Sequence, residues 1–267
     1  MRTEARGLAA LALAALVLAP VAPTAQAGEP EDAGKRAGAD WKSWHAGNDV
    51  TDRASLQRGA RNYVSYCLGC HSLKYERWSR LASDLNIPRE LLEKELLPPG
   101  VKWTEYIRTS MPAQDAESWF GKSPPDLSLI VRARGRDYVY QFLKTFYVDP
   151  TRQTGANNLR LPATAMPYVL SSVEGLKSAT FHDVTRAGEG GQPMHEQVFD
   201  GFEPVVAGPL TAEEYDTFVR DTVNFLDYVS EPTQMARRAL GIWVVLFLML
   251  FTWLALLVKR EYWKDVH

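Results

Sequence analysis

Two thiols three positions apart, followed at once by an imidazole, are the residues of this chain best suited to chemistry: Cys67-Leu68-Gly69-Cys70-His71. They are the only cysteines in 267 residues. On one helical turn each thiol can form a thioether to a vinyl group of a single haem, and His71 then sends a ring nitrogen to the iron. The pattern is the attachment signature of a c-type haem, haem c. A structural disulfide, a thioredoxin-like redox pair and half of a zinc site compete for the same thiols. The redox pair lacks a strand, turn and helix setting, the zinc site lacks a second ligand pair, and neither explains His71.

What such an iron does depends on its other face. A methionine sulfur closes the site and raises the reduction potential, whereas an open position permits gas binding or peroxide chemistry. The downstream candidates are Met111, Met166, Met194, His182 and His195; Met235 and Met249 lie beside or within an apolar run and are poor choices. Pro162-Ala163-Thr164-Ala165-Met166-Pro167 is a proline-bounded loop that can hold a sulfur rigidly, which favours Met166. Met111 also precedes a proline, but it closes a predicted helix carrying Trp103, Tyr106 and Ile107, and a core role suits it better.

Helices must position these groups. Leu56, Ala60, Tyr63, Val64 and Cys67 share one helical face that delivers Cys67 to a core. Pro88 opens a short helix through Leu96, and Trp103 to Ser110 reads as another. From Asp137, Tyr138, Val139, Phe142, Leu143 and Phe146 share a face until Asp149-Pro150, after which Gly155, Asn157, Asn158, Pro162 and Pro167 mark a loop. Thr211-Ala212-Glu213-Glu214 is a capping box, and Tyr215 to Val229 continues as an amphipathic helix that stops near Glu231-Pro232. Period-two alternation is scarce, so the expected fold is mainly α with long loops.

The ends set the compartment. Arg2 and Arg6, an apolar run from Leu8 to Val21 and Ala25-Gln26-Ala27 have the layout of an export signal cleaved after residue 27. Residues 28–52 read as a polar arm and residues 53–231 as the haem domain. Leu240 to Val258 holds no charged residue and is flanked by Arg237, Arg238, Lys259, Arg260 and Lys264. At about 1.5 Å per residue it is long enough for one transmembrane helix. An exported N-terminus with one later span puts the haem domain in the periplasm of a bacterial inner membrane and residues 259–267 in the cytoplasm. A formal net charge of −2 gives no general attraction to nucleic acid.

The ordered set Arg58-Gly59, Cys67 to Leu73, Pro124-Pro125-Asp126-Leu127-Ser128-Leu129-Ile130, Asp137-Tyr138, Met166-Pro167 and Asn224-Phe225-Leu226 before one span resembles the cytochrome c1 family. The resemblance covers nearly all of the chain after the export signal. It implies a haem subunit of a quinol–cytochrome c reductase, an electron carrier rather than a bond-breaking enzyme. Cytochrome b and the Rieske iron–sulfur protein are then its membrane partners, and cytochrome c its electron acceptor. It implies His71 and Met166 as axial ligands, Pro125 against the haem on the His71 side, and Arg134 on a propionate. Tyr138, Phe142 and Leu143 would line the pocket. Only Gly135-Arg136 separate Arg134 from Asp137-Tyr138 here, fewer residues than the mitochondrial pattern places there. Three rivals remain: a tethered cytochrome of another respiratory complex, a haem catalyst or gas sensor with an open axial site, and a structural membrane anchor.

Overall fold

The computed structural model describes residues 37–187 and 193–264. The predicted export signal, residues 1–27, lies outside them. Residues 37–52 run across the body, with a 3-10 turn at Trp41–Ser43. Gln141 Nε2 donates to the carbonyls of Lys42 (3.1 Å) and Trp44 (2.9 Å), and Arg220 Nη1 donates to that of Ala46 (2.5 Å). Thus the arm's backbone is held by side chains of the body.

The elements then follow as α1 (Arg53–Tyr66), β1 (Leu73–Arg77), α2 (Trp78–Leu85), α3 (Arg89–Glu95), β2 (Tyr106–Ile107), α4 (Ala113–Phe120), α5 (Ile130–Arg134) and α6 (Arg136–Lys144). After these come β3 (Phe146–Val148), β4 (Ala156–Asn158), α7 (Ser171–Glu174), β5 (Gly175–Ala187), β6 (Pro193–Ala207), α8 (Ala212–Ser230) and α9 (Gln234–Tyr262). The fold is mainly helical.

Asp52 starts α1 by accepting from the Ser55 amide at 3.1 Å, and the predicted stripe is buried at Leu56, Ala60 and Tyr63 and partly buried at Val64 and Cys67. α1 packs on α8 so closely that a Cβ on Gly59 would lie 2.0 Å from the Asp221 carbonyl oxygen. Only glycine fits there. Beside it, Arg58 clamps the Asp221 carboxylate through Nε (2.5 Å) and Nη2 (2.9 Å). α8 opens with the expected capping box, in which Thr211 and Glu214 satisfy each other's backbone amides. Trp78, Leu81, Leu85, Tyr140, Phe146 and Phe225 fill the core between these helices.

α9 extends past both ends of the charge-free run 240–258. It begins only three residues after α8 and is long and apolar enough to cross a membrane, and its most apolar stretch is not buried against the body. Exposed Leu240, Ile242, Phe247, Phe251 and Leu256 make it a single-pass anchor in form.

Three predicted features are corrected by long-range pairing. The helix expected from Trp103 to Ser110 is absent: Ile107 is fully buried and pairs with Leu73 as β2 on β1. A turn with Glu105 N donating to Lys102 O (2.9 Å) sets up that pairing. Met111 therefore lies between β2 and α4 and does not close a helix. The helix from Asp137 ends at Lys144, so Phe146 belongs to β3, which pairs with β4 in what reads as loop. Here the buried Asn158 takes the Thr145 hydroxyl at 3.2 Å and closes the pair. Finally, β5 and β6 pair as the two arms of a long antiparallel hairpin, with register shifts at Leu176/Lys177 and Thr180/Phe181. These shifts and the exposure of Leu176, Phe181, Met194, Val205 and Val206 explain why no clean period-two pattern marks it. Tyr147, Phe181, Phe199 and Phe202 form a chain of ring contacts at 6.0, 5.8 and 4.8 Å that fastens the hairpin to β3.

Candidate haem site

The Cys-x-x-Cys-His segment is the tightened end of α1. Cys67 N and Leu68 N both donate to Tyr63 O (2.8 and 2.9 Å), and Cys70 N and His71 N both donate to Cys67 O (3.0 and 2.8 Å). This winds both thiols onto one turn. The Tyr63 hydroxyl donates to His71 O at 2.6 Å and the Thr109 hydroxyl to Gly69 O at 2.8 Å, so the turn is pinned from two sides.

The thiols are not joined to each other. Burial, then the neighbouring Cys70, pushes the Cys67 thiol up to about 12, and burial raises Cys70. Both are protonated at neutral pH, the reverse of the depressed thiol of a redox pair. No cluster of three or more His, Cys, Asp or Glu side chains forms a metal-holding group among the described residues, so a zinc-type donor set is lacking.

His71 is oriented through its other nitrogen. Nδ1 lies 2.7 Å from the Pro125 carbonyl oxygen, which only accepts, so Nδ1 carries the proton and Nε2 keeps its lone pair. Burial pushes the imidazole below its usual value, opposed by the Pro125 carbonyl and Asp126. That carbonyl is held in place by lacing along its segment. Asp126 accepts from Lys74 N (2.8 Å) and Ser128 N (3.0 Å), Leu127 N donates to Ser72 O (2.9 Å), and Ser128 Oγ accepts from Tyr75 N (3.2 Å). The residues thus fit a c-type haem by donor chemistry: two protonated thiols on one turn and a neutral imidazole whose Nε2 has no partner among the described residues.

Tyr138 and Phe142 stand one turn apart on α6, both partly buried against the core, and Leu143 is buried within it. Phe142 meets Phe146 edge-on at 5.1 Å, and Phe146 stacks on Tyr168 at 5.4 Å. Arg134 lies over the Tyr138 ring, 5.4 Å from its centroid.

Met166 is partly buried against the same core, on a loop braced by two buried amides that sequence reasoning treated only as turn formers. Asn158 Oδ1 accepts from Arg160 N (2.8 Å) and Leu161 N (3.0 Å), while its Nδ2 donates to Phe142 O (2.8 Å). Asn157 Oδ1 accepts from Ala163 N (2.8 Å), which steadies Ala163 at a left-handed φ of 61°. Past the loop, the Tyr168 hydroxyl and Lys177 Nζ both donate to Glu174.

The other sixth-ligand candidates are placed differently. Met111 lines a cavity of about 210 Å³ with Cys70, Ser72, Pro124 and Asp126. Those walls come from the segments on either side of His71 and Pro125. Met194 is exposed on β6, and His182 on β5 is bonded to Asp200 at 2.6 Å. The side chain of His195 lies outside the described part of the structure.

Residues 100–266 match the model of the Cytochrome C1 family. The match begins downstream of His71, so it is independent of the Cys-x-x-Cys-His motif. Over 219 residues, 82% of this chain, it is 45% identical to cytochrome c1 of Allochromatium vinosum, covering 87% of that protein. The ammonia monooxygenase gamma subunit of Nitrosomonas europaea is 40% identical over 219 residues, 82% of this chain and 86% of the relative. Cytochrome c1 of Rhodospirillum rubrum is 28% identical over 253 residues, 85% and 87% of the two chains. With a Cys-x-x-Cys-His turn at the end of α1, a mainly helical body, one helix long and apolar enough to cross a membrane and this match over most of its length, the chain belongs to the cytochrome c1 family.

Proposed function

We propose that this chain is the haem subunit of a cytochrome bc1 complex, taking one electron from the Rieske iron–sulfur protein and passing one to cytochrome c. The observation that carries the reading is the His71 Nδ1 hydrogen bond to Pro125, which readies Nε2 beside two thiols. Family membership supports the electron-transfer role and a covalent haem c. A relative from Candida albicans, 27% identical, is named as the catalytic subunit of the cytochrome b-c1 complex, which supports assembly with cytochrome b.

Cys67 and Cys70 would hold the haem covalently, each thiol as a thioether to one of its vinyl groups. When bound, haem c supplies a one-electron iron couple. His71, through Nε2, and Met166, through its sulfur, would hold the iron. Pro125 orients His71, Arg134 faces a propionate, and Tyr138, Phe142 and Leu143 keep water from the macrocycle. Met166 is preferred to Met111 because its proline-bounded loop is braced by Asn157 and by Asn158, which also holds Phe142 O on α6. Two fixed ligands and braced loops keep rearrangement small when the iron changes charge.

Residues 53–231 form the haem domain on the periplasmic face of a bacterial inner membrane. Residues 240–258 are the part of α9 within the hydrocarbon, and 259–267 lie in the cytoplasm. The similarity to an ammonia monooxygenase gamma subunit favours a second reading, association with an ammonia-oxidising complex. Purifying the tagged full-length chain from membranes separates the two. Cytochrome b and the Rieske protein travelling with a covalently haem-bearing chain support the first reading, and ammonia monooxygenase subunits in their place overturn it.

A further inference from the structure

Two guanidinium groups meet on one aromatic ring. Arg134 Cζ lies 5.4 Å and Arg160 Cζ 4.5 Å from the centroid of Tyr138. The two positive centres are therefore within about 10 Å of each other, about one Debye length at 0.1 M salt. The chain supplies carboxylates to Arg58, Arg80, Arg89, Arg136, Arg152, Arg220 and Arg237, but neither Arg134 nor Arg160 forms an ion pair among the described residues. Nearby acids are already engaged. Asp137 accepts from His45 Nδ1 and Ala46 N, while Asp149 accepts from Thr151 and Asn157 and pairs with Arg152.

Both arginines are rooted in fixed backbone. Asn158, fully buried, holds Arg160 N at 2.8 Å and with its other end holds Phe142 O at 2.8 Å. This ties the Arg160 loop to α6 one turn from Tyr138. Arg134 is the last residue of α5, and Gly135, at a φ of 88°, turns the chain directly into α6. A guanidinium lying over an aromatic ring keeps edge N–H groups free for a carboxylate.

We infer that Arg160 is a second propionate anchor, gathered with Arg134 on the Tyr138 ring so that each haem carboxylate has its own guanidinium. The inference rests on the haem reading above and extends it to a residue that neither the motif nor its spacing singles out. A propionate lifted from water needs such a partner, because an unpaired buried carboxylate is strongly disfavoured. Arg160 is a positioning and charge-compensating residue here, since the iron ligands are elsewhere.

The test is a potentiometric titration of full-length protein in detergent, run from acid to alkaline pH on the parent, Arg160→Gln and Arg160→Lys. Arg160→Met reads the same loss of charge should the Gln variant not accumulate. Loss of the positive charge should shift the one-electron equilibrium towards ferric iron by about three- to tenfold, tenfold being about 59 mV. It should also move any pH-linked step in the potential to higher pH, because an uncompensated propionate holds its proton longer. The Lys variant should return most of the potential, with covalent haem and the Met–iron charge-transfer band intact throughout. Equal potentials in the parent, the neutral variant and Arg160→Lys at every pH would overturn the anchor. Absence of covalent haem or of that band in the parent itself would overturn the haem reading instead, and the anchor with it.

Discussion

The ring nitrogen Nδ1 of His71 and the carbonyl oxygen of Pro125 lie 2.7 Å apart although the two residues are 54 positions apart in the chain. A main-chain carbonyl is an acceptor at every pH, so the contact selects one imidazole tautomer and leaves Nε2 with its lone pair. Replacing His71 by a residue without a ring donor would leave that carbonyl unbonded as well as removing the proposed ligand.

Covalent attachment is tested most directly at the thiols. After denaturation and extraction of free haem, peroxidase stain should remain on the band of the parent protein. It should vanish in the Cys67→Ala, Cys70→Ala double variant. Haem retained by that variant under the same conditions would refute the thioether assignment.

Met166→Leu should open the iron to carbon monoxide and lower the reduction potential while leaving the thioethers in place, because a thioether ligand favours ferrous iron. Met111→Leu is nearly volume-conserving and should cost less than about 1.5 kcal/mol of stability, with the Met–iron band unchanged. Loss of the band in the Met111 variant and its survival in the Met166 variant would exchange the two roles.

Asn158→Ala removes the acceptor of Arg160 N and Leu161 N and the donor to Phe142 O. Each buried polar group left unpaired costs about 1–3 kcal/mol, so the variant should lose several kcal/mol of stability. The loop carrying Met166 should loosen first. Carbon monoxide binding to the reduced variant, below its melting temperature, should exceed that of the parent; unchanged binding would show that Asn158 supports only the fold.

Glu76 gives the clearest pH dependence. It is 4% exposed, its Oε1 has no hydrogen-bond partner among the described residues, and burial pushes its carboxyl up to about 7, with Arg80 opposing and Asp84 adding to the rise. A group raised on folding stabilises below its unfolded value and loses that contribution as pH climbs through the folded one. Stability should therefore fall between about pH 4.5 and pH 7 and stay lower above it, by roughly 3 kcal/mol at most. Glu76→Met should raise the melting temperature at pH 8 more than at pH 5. Equal gains at both pH values would mean that Glu76 is already neutralised by Arg80.

A chain ending at Ser230, the last residue of α8, should remain soluble and acquire haem. The most apolar stretch of α9 contributes no buried surface to the body, and of the helix removed only Gln234 at its start is buried, so the apolar core stays whole. Aggregation without haem in every such truncation would move the domain boundary beyond Glu231.

What the sequence determined by itself is what lies within one or two turns of chain. The thiol pair and His71 share a turn of backbone, the Thr211–Glu214 capping box is a reciprocal bond over three residues, and α9 announces itself by a run without charges. The stripe of Leu56, Ala60 and Tyr63 was legible for the same reason. What only the tertiary structure decided are contacts whose partners are distant in sequence. These are the Pro125 carbonyl behind His71, the pairing of Ile107 with Leu73, the long β5–β6 hairpin, the Asn158 brace between the Met166 loop and α6, and Arg160 over Tyr138. Local periodicity cannot register such pairings, because each depends on a donor and an acceptor brought together only when the core closes. Asn157 and Asn158 show the difference: read locally they are turn formers, yet in the closed core their amides are buried hydrogen-bonding struts.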